Sequence, residues 1–184
     1  MSFADIFESI VPYVFAPFAD DLLDRCLPVA GERVLDVACG TGIVARRVLV
    51  PGGRLAVSVW RSLEEHPFLA ELERISARHL GPLAPDRRHA FGDAAALGDI
   101  LSEAGFSDVS VTTSELTLKY PDGPKWVALN LMAIAPPSFA NLPEDERARL
   151  VAAIQRDASD VLAAYADGSG IAVAQRANVA LARA

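Results

Sequence analysis

Two kinds of hydrophobic pattern alternate along this chain and predict the order of its elements. Short apolar or alternating runs rich in β-branched residues predict strands. Longer stretches bounded by capping and breaking residues predict helices. The predicted strands are residues 33–38, 54–60, 108–120 and 171–182. The predicted helices are residues 3–27, 42–50, 62–80, 93–104, 122–135 and 143–165, the first of them kinked by Pro12 and Pro17.

Local signals set the ends of several predicted helices. Ser62 and Glu65 are spaced as a capping box, in which the hydroxyl and the carboxylate each satisfy a free amide. Gly81-Pro82 ends that helix, and Gly105 is predicted as the C′ residue of the next one. Pro143 is predicted at the first helical position, ahead of acidic residues that suit the positive end of the helix dipole.

This element order predicts an open α/β sheet covered by helices. The runs 33–38 and 54–60 are short and nearly continuously apolar, as buried parallel strands are. The runs 108–120 and 171–182 alternate, and we expect them to form an antiparallel edge. The chain has 184 residues and no internal repeat, which predicts a single domain over residues 1–184.

Composition and charge narrow the possible partners. The chain is 52% hydrophobic and 22% charged, with a net charge of −7, so it lacks the excess of cations that nucleic-acid binding requires. No apolar run reaches the about 18 residues of a membrane span, and the acidic N-terminus does not resemble a signal peptide. Two cysteines, Cys26 and Cys39, favour a reducing cytoplasm. The three histidines are scattered, so we expect no metal site.

A glycine loop, Asp36-Val37-Ala38-Cys39-Gly40-Thr41-Gly42, follows the first predicted strand. Glycines at such a place let the backbone approach a ligand, and the amides at the next helix start favour polar or anionic groups. The Asp36 carboxylate is near the carboxyl end of the strand, where open α/β folds bind ligands. A tight strand-to-helix turn without a ligand is the alternative.

The wider context of this loop resembles class I S-adenosylmethionine-dependent methyltransferases. GERVLDVACGTGIVARRV resembles the first motif of that family, and LVPGGRLAVSVWRS resembles the segment leading into its fifth strand. LSEAGFSDVSV resembles the stretch into the sixth strand, and GSGIAVAQRANVALARA resembles the last strand. The small-molecule enzymes of ubiquinone and menaquinone biosynthesis are the most similar branch. The resemblance covers nearly the whole chain and implies a Rossmann-like methyltransferase fold.

By this resemblance the glycine loop holds the methionine and ribose part of S-adenosylmethionine. The implied cofactor-binding residues are Asp36, Ala38, Gly40, Thr41 and Gly42. Asp36 is expected to act through its carboxylate, towards the amino group of the cofactor. The glycines are expected to act by leaving space.

The chain departs from the family in one place. The family's second, third and fourth strands, with their helices, are missing between about residues 48 and 50, and with them the loop that stacks on adenine. An acidic ribose ligand is expected about 20 residues beyond the glycines, where this chain has Ser62, Glu64 and Glu65. We interpret Glu65 as a helix cap and not as a ribose ligand. A natural deletion, an engineered minimal version and an artefact would all give this join.

The missing strands leave strand 33–38 without its family neighbours. An apolar strand with bare edges does not persist in water, so we expect it to pair in parallel with strand 54–60, in a reduced sheet of about four strands. Its other edge would then pair with a second copy of the chain, or the copies would swap elements. The sequence therefore predicts a homodimer.

No catalytic residue is assigned from the sequence. His66, His79, His89 and Tyr13 are candidate polar groups near the carboxyl edge of the sheet, with His66 as the first choice and a surface or capping role as the alternative for each. An aromatic face formed by Phe3, Phe7, Tyr13, Phe15 and Phe18 is either core or a lid over a pocket. Residues 122–142, with Trp126, Met132 and Phe139, line an apolar acceptor pocket or belong to the core or a dimer interface.

Two functions fit these expectations. The first is a methyltransferase that acts on a small-molecule acceptor. The second is a non-catalytic, oligomeric remnant or minimal version of the fold, in which the shortened nucleoside pocket has lost hydrogen bonds and a stacking surface. Such losses amount to several kcal/mol at about 1 kcal/mol per hydrogen bond, which would weaken a micromolar site towards millimolar.

Overall fold

The computed structural model describes residues 12–27 and 53–184. Within them, helices are combined with a small antiparallel sheet, which is compatible with an α/β fold, and residues 12–14 form a helical turn before the first full helix. The α-helices are α1 (Ala16–Cys26), α2 (Pro67–Leu80), α3 (Ala94–Glu103), α4 (Gly123–Ile134), α5 (Pro137–Ala140), α6 (Glu144–Asp157) and α7 (Ser159–Ala164). The strands are β1 (Arg54–Trp60), β2 (Ser107–Tyr120), β3 (Ala166–Asp167) and β4 (Gly170–Arg183).

These four strands form one sheet in the order β1-β4-β2, with the short β3 paired to β4. Every pair is antiparallel. Because β4 runs against both β1 and β2, those two strands point in the same direction on either side of it. Ala180 of β4 shows the register, since it faces Val57 of β1 and Val111 of β2. The last strand therefore lies inside this sheet, and β2 lies at its edge.

The predicted parallel pairing of strand 54–60 with residues 33–38 stays a prediction. Within the described residues its partner is β4, which it meets antiparallel. Its predicted parallel partner, residues 33–38, lies outside the described residues, as do the predicted helix 42–50 and Phe3 and Phe7 of the aromatic face. The alternation of 171–182 predicts a strand but not its neighbours, because side-chain period fixes which face is buried and leaves the choice of partner open.

Most predicted helix ends are confirmed. Pro17 lies in the first turn of α1, after a break at Phe15, as a proline kink predicts. α2 ends at Gly81, which has a φ of 72°. Gly105 has a φ of 93°, and the bonds Gly105 N to Ser102 O and Phe106 N to Leu101 O complete a Schellman motif at the end of α3.

Two predicted helix starts are wrong. Ser62 makes no side-chain cap hydrogen bond, and Glu65 ends a 3-10 turn, Leu63–Glu65, instead of closing a capping box. The α-helix begins only at Pro67, because a proline disfavours helical geometry at the residue before it, and His66 has a φ of −121° and a ψ of 69°. The Glu65 carboxylate pairs with Arg61 instead of capping the helix. Pro143 is the N-cap of α6 and not its first residue, and Ala158 divides the predicted helix 143–165 into α6 and α7.

The two faces of the sheet are covered unequally. One face carries Leu118 and Val173 and packs on α1, α2, α4 and α6; we call it the core face. The opposite face carries Val57, Val111 and Ala180 and packs on α3; we call it the α3 face. The core face contains the larger hydrophobic cluster, with Phe68, Leu72, Ile75, Leu131, Ile134 and Ile154 at most 1% exposed. In the part of the chain described here, no helix combines the length and the apolar character that a membrane span requires.

Candidate functional site

Two chain segments meet at the carboxyl end of β1. β1 leads through Arg61 and Ser62 into the 3-10 turn, and the loop of residues 82–92 returns to the same place. A Cβ added to Gly92 would lie 2.2 Å from Ser62 N and 2.7 Å from Arg61 C, so only glycine allows this approach. Open α/β sheets bind ligands outside the carboxyl ends of their strands, so the residues of this junction are the candidate functional site.

His66 and His89 meet edge to face at this junction. Their ring centroids are 5.0 Å apart and the ring planes are inclined by 62°. His66 is 1% exposed, and its Nδ1 donates to Oε1 of Gln175 on β4 at 3.0 Å. His89 Nδ1 donates to the Arg61 carbonyl oxygen at 2.5 Å, because a carbonyl oxygen only accepts. In these tautomers Nε2 of each ring is a lone-pair acceptor, and neither Nε2 has a hydrogen-bond partner among the described residues.

The surroundings of His66 keep its ring neutral. Burial lowers the pKa of His66, the hydrogen bond to Gln175 opposes this shift, and a charge on nearby His89 reinforces it. Trp60 adds an apolar neighbour, with its ring centroid 6.1 Å from that of His66 and nearly perpendicular to it. A lowered pKa makes His66 a weaker base than an exposed histidine, so its buried Nε2 is a hydrogen-bond acceptor and not a suitable general base.

Asp86 is the anion of the loop that carries His89. Its Oδ1 accepts from the backbone amide of Arg88 at 3.0 Å, and its Oδ2 lies 2.6 Å from the Arg88 guanidinium. Burial would raise the pKa of Asp86, but the Arg88 hydrogen bonds and charge prevail and hold it below its usual range. Arg88 also donates to Oδ1 of Asn130 at 2.9 Å, which ties the loop to α4.

Glu73 of α2 is a second carboxyl group beside Asp86. Burial raises the pKa of Glu73, and the negative charge of Asp86 raises it further. Its Oε1 is buried and makes no hydrogen bond within the part of the chain described here. Adjacent carboxyl groups do not both ionise readily, so Glu73 holds a proton more readily than Asp86, which retains the charge.

Arg61 organises the same junction on the α3 face. Its Nε donates to both oxygens of Glu65, at 2.7 and 2.8 Å, and its Nη1 donates to Asn178 Oδ1 at 3.0 Å and to Thr113 Oγ1 at 2.7 Å. Asn178 is fully buried, and its Nδ2 donates to the Gly92 carbonyl oxygen at 2.9 Å. Glu65, predicted to cap a helix, instead holds the arginine that joins β1, β2 and β4.

The remaining polar candidates lie elsewhere. His79, near the end of α2, has Nε2 2.8 Å from Asp157 Oδ2, a contact that joins α2 to α6. Tyr13 is 40% exposed and lines a cavity of about 50 Å³ together with Tyr120 and Trp126. Binding sites for drug-sized ligands are about 300–1,000 Å³, so the cavity that the described residues form is small for such a ligand.

The structure describes the side chains of two of the three residues predicted to line the acceptor pocket, Trp126 and Phe139. Trp126 is 7% exposed and stacks on Tyr120 with the centroids 4.1 Å apart, so it belongs mainly to the core. Phe139 is half-buried beyond the end of α4, and the side chain of Met132 lies outside the described part of the structure. Tyr13 lines the cavity that Tyr120 and Trp126 also line. Phe18 instead packs on Trp60, and their ring centroids are 4.9 Å apart.

The residues predicted to bind the cofactor, Asp36, Ala38, Gly40, Thr41 and Gly42, all lie outside the described residues. In residues 12–27 and 53–184, no group of three or more histidine, cysteine or carboxylate side chains is arranged to hold a metal ion. The described residues bring polar groups together at the junction, where the buried Nε2 atoms of His66 and His89 can accept hydrogen bonds.

Sequence reasoning missed the partners that make this junction. Gln175 and Asn178 are the signal that was available, because they are amides inside a strand that is apolar at most other positions, and buried amides require partners. No comparable feature of the sequence indicates the roles of Asp86 and Gly92, because these roles depend on where the loop of residues 82–92 meets the end of β1. A scan of the chain against protein-family models gives no match, and a search among curated proteins gives none either.

Proposed function

We propose that this chain is a reduced, Rossmann-like S-adenosylmethionine-dependent methyltransferase that acts on a small-molecule acceptor. Asp36, Ala38, Gly40, Thr41 and Gly42 would hold the cofactor, as the resemblance of that segment implies. The cofactor supplies an electrophilic methyl group. The chain has to position the acceptor in line with it and exclude water.

The observation that carries the proposal is the direction of the strands. β1 and β2 point the same way, and β4 is inserted antiparallel between them. Antiparallel strands at the edge of otherwise parallel sheets are common in doubly wound folds. The segments that resemble the fifth, sixth and last strands of the methyltransferase family are β1, β2 and β4. Their arrangement is therefore compatible with the edge of such a sheet.

The junction at the end of β1 suits the acceptor side of such a site. In open α/β folds the ligand lies beyond the carboxyl ends of the strands, and β1 ends at Trp60 beside the buried His66. His66 and His89 are buried there and would form part of the wall behind the acceptor. The acceptor itself is proposed only as a small molecule.

A second candidate function is favoured by the short interval between the glycine loop and β1. The interval from Gly42 to Arg54 is too short to include the family's second, third and fourth strands, which carry the ribose acid and the adenine loop. The chain would then be a non-catalytic remnant or minimal version of the fold with impaired cofactor binding. The two candidates differ in affinity for the adenosyl group.

Isothermal titration with S-adenosylhomocysteine separates the two. The methyltransferase predicts saturable binding with a Kd tighter than about 50 µM, and weaker binding or none supports the second candidate. Gly40→Ala is expected to weaken binding at least about tenfold, or about 1.4 kcal/mol, by filling the space beside the cofactor. Gly98→Ala in α3, where the added Cβ would meet only Val111 Cγ2 at 3.7 Å, is the matched control and should bind as the wild type does.

A homodimer is part of the proposal. Among the described residues β1 pairs with β4 alone, which leaves its second edge for strand 33–38, and the outer edge of that strand for a second copy. Either function is compatible with such a dimer. Light scattering at micromolar concentration is expected to give twice the mass of one 19.6 kDa chain, and a stable monomer would contradict the pairing.

A further inference from the structure

The outer edge of β2 is long and accessible to a further strand. β2 has 14 residues, Ser107–Tyr120, and among the described strands it pairs with β4 alone. Such an edge presents a row of amide and carbonyl groups that can bond to an extended segment of another chain. Main-chain bonds of this kind give affinity, and the side chains beside them decide which segment fits.

The hydrogen bonds of the sheet show which backbone groups of β2 point outward. The bond from Arg61 N to Arg176 O, at 3.1 Å, continues the β1–β4 ladder at one end. The bond from Ala184 N to Gly53 O, at 2.9 Å, continues it at the other. Even residues of β4 therefore bond to β1, and its odd residues bond to the even residues opposite them on β2. The groups on the outer edge of β2 belong to odd residues, namely Val111, Thr113, Glu115, Thr117 and Lys119.

The carboxyl half of this edge is regular, whereas its amino end is obstructed. The register with β4 shifts between Ser107 and Ser110, and Asp108 has a φ of 51°, as in a β-bulge. Bulges are one of the ways in which sheet edges are protected against pairing. α3 packs against Val111 on the α3 face, but the register from residue 112 to residue 120 is unbroken. A further strand therefore fits beside the carboxyl half.

Charged side chains of both signs lie along this half of the edge. Glu115 accepts a hydrogen bond from Arg176 Nε at 2.6 Å, and Lys119 Nζ lies 2.7 Å from Asp167 Oδ2. The side chains of Glu115 and Lys119 are 52% and 73% exposed, so each can meet a second partner. A suitable antiparallel strand would place a cation opposite Glu115 and an anion opposite Lys119.

β2 itself is such a strand. If two copies pair antiparallel about a two-fold axis at Thr117, Glu115 of each copy lies opposite Lys119 of the other. The odd residues then face one another, as the outward backbone groups require. An axis at Glu115 would instead place two like charges opposite each other, which is unfavourable. Each chain has a net charge of −7, so two copies repel each other unless the charges in their contact are paired in this way.

We propose that the carboxyl half of β2 is an interaction surface for a second copy of the chain, which adds its own β2 as an antiparallel neighbour about an axis at Thr117. The two strands overlap over residues 114–120, so the contact is of the small, transient kind. It forms well above the micromolar concentrations at which the dimer through strand 33–38 is tested. This inference does not depend on the methyltransferase proposal.

Measurements on the wild-type chain between about 10 µM and 1 mM test the pairing. Sedimentation equilibrium should show a reversible doubling of mass over this range. The amides of Glu115, Thr117 and Lys119 should exchange with solvent at least about threefold more slowly at the higher concentration, because they gain hydrogen bonds. The amides of Leu116 and Leu118 are already bonded to β4 and should be unchanged.

Substitutions at the axis and at the two charges test the geometry. Thr117→Pro removes an outward amide and no bond to β4, as edge strands allow, and should weaken association at least about tenfold. Thr117→Ala keeps the amide and is the matched control, which should associate as the wild type does. Glu115→Lys should weaken association at least about fivefold. Combining it with Lys119→Glu should restore much of the loss, because the exchanged charges meet only across the axis.

Three results would overturn the proposal. The first is a mass that does not change up to 1 mM, and the second is equal association of Thr117→Pro and Thr117→Ala. The third is a double charge exchange that recovers none of the association lost in Glu115→Lys. The wild-type measurements decide whether the edge pairs even if Thr117→Pro does not fold.

Discussion

The hydrophobic cluster on the core face and the polar junction at the end of β1 are equally well buried but are held together differently. The core cluster is built from aliphatic and aromatic side chains such as Phe68 and Ile154, which depend on area and packing. The junction is built from His66, Gln175 and Asn178, whose burial depends on specific hydrogen bonds such as those from His66 to Gln175 and from Asn178 to Gly92. Substitutions in the core should therefore change stability alone, whereas substitutions at the junction should also change its response to pH.

The largest expected effect is in the core. Phe68→Ala removes a ring that is 1% exposed and packs on Tyr165 at 5.0 Å, so we expect a loss of about 3–5 kcal/mol in the free energy of unfolding. Ile100→Ala, at a side chain that is 47% exposed on α3, is the control and should change it by about 0.5 kcal/mol or less. Urea denaturation measures both. Equal effects would mean that Phe68 is not in a packed core.

Asn178 comes next, because it is the most connected amide of the junction. Asn178→Ala removes the acceptor of Arg61 Nη1 and leaves the Gly92 carbonyl oxygen without its side-chain donor, for an expected loss of about 2–3 kcal/mol. Ser110→Ala, at an exposed position of β2, is the control on the same sheet. A loss below about 0.5 kcal/mol for Asn178→Ala would show that the junction does not contribute to stability.

A substitution at Gly92 tests the close approach of its backbone to that of Arg61 and Ser62. The methyl group of Gly92→Ala would overlap the backbone at Ser62 N and Arg61 C, so we expect a loss of about 1–3 kcal/mol in unfolding free energy. Gly98→Ala places the same methyl group in ordinary van der Waals contact with Val111 Cγ2, at 3.7 Å, and should instead stabilise the chain by about 0.5–1 kcal/mol. Thermal unfolding of the two variants should therefore move in opposite directions, and a shared direction would contradict the geometry.

The pH dependence is the smallest effect and the one specific to the junction. The folded pKa of His66 is lowered, so the unfolded chain binds this proton more readily, and the stabilisation present above about pH 6.5 is lost as the pH falls. His66→Phe removes this term. The stability of the wild type relative to His66→Phe should fall by up to about 1.4 kcal/mol per pH unit below pH 6.5. A difference that stays constant between pH 7.5 and 5 would mean that His66 is not held neutral.

Features that depend on local pattern could be predicted from the sequence, whereas features that depend on contacts between distant segments could not. The strands 54–60, 108–120 and 171–182 and the helix ends at Gly81 and Gly105 follow from local pattern and backbone preference, and all are confirmed. The neighbours of β1 could not be predicted, because hydrogen-bond pairing depends on how distant segments meet. The Ser62 and Glu65 capping box was wrong because Arg61, one residue before it, competes for the carboxylate.

The same distinction between local and long-range features applies to the candidate site. His66 could be proposed from its position just after a strand, but its pairing with His89 and Gln175 joins segments that are far apart in the chain. The predicted cofactor loop, Asp36 to Gly42, rests on resemblance and stays a prediction. The amides Gln175 and Asn178 within an apolar strand were the one local sign that a polar junction would be buried beside β4.

The measurement that tests the central claim most directly is a ¹H–¹⁵N NMR titration with S-adenosylhomocysteine. If the cofactor lies beyond the carboxyl end of β1, the resonances of Trp60, Arg61 and Gly92 should shift in a saturable way. Those of Leu55 and Ala182, at the amino end of β1, should stay in place. Spectra that do not change at millimolar ligand, or changes confined to the amino end of β1, would contradict the account.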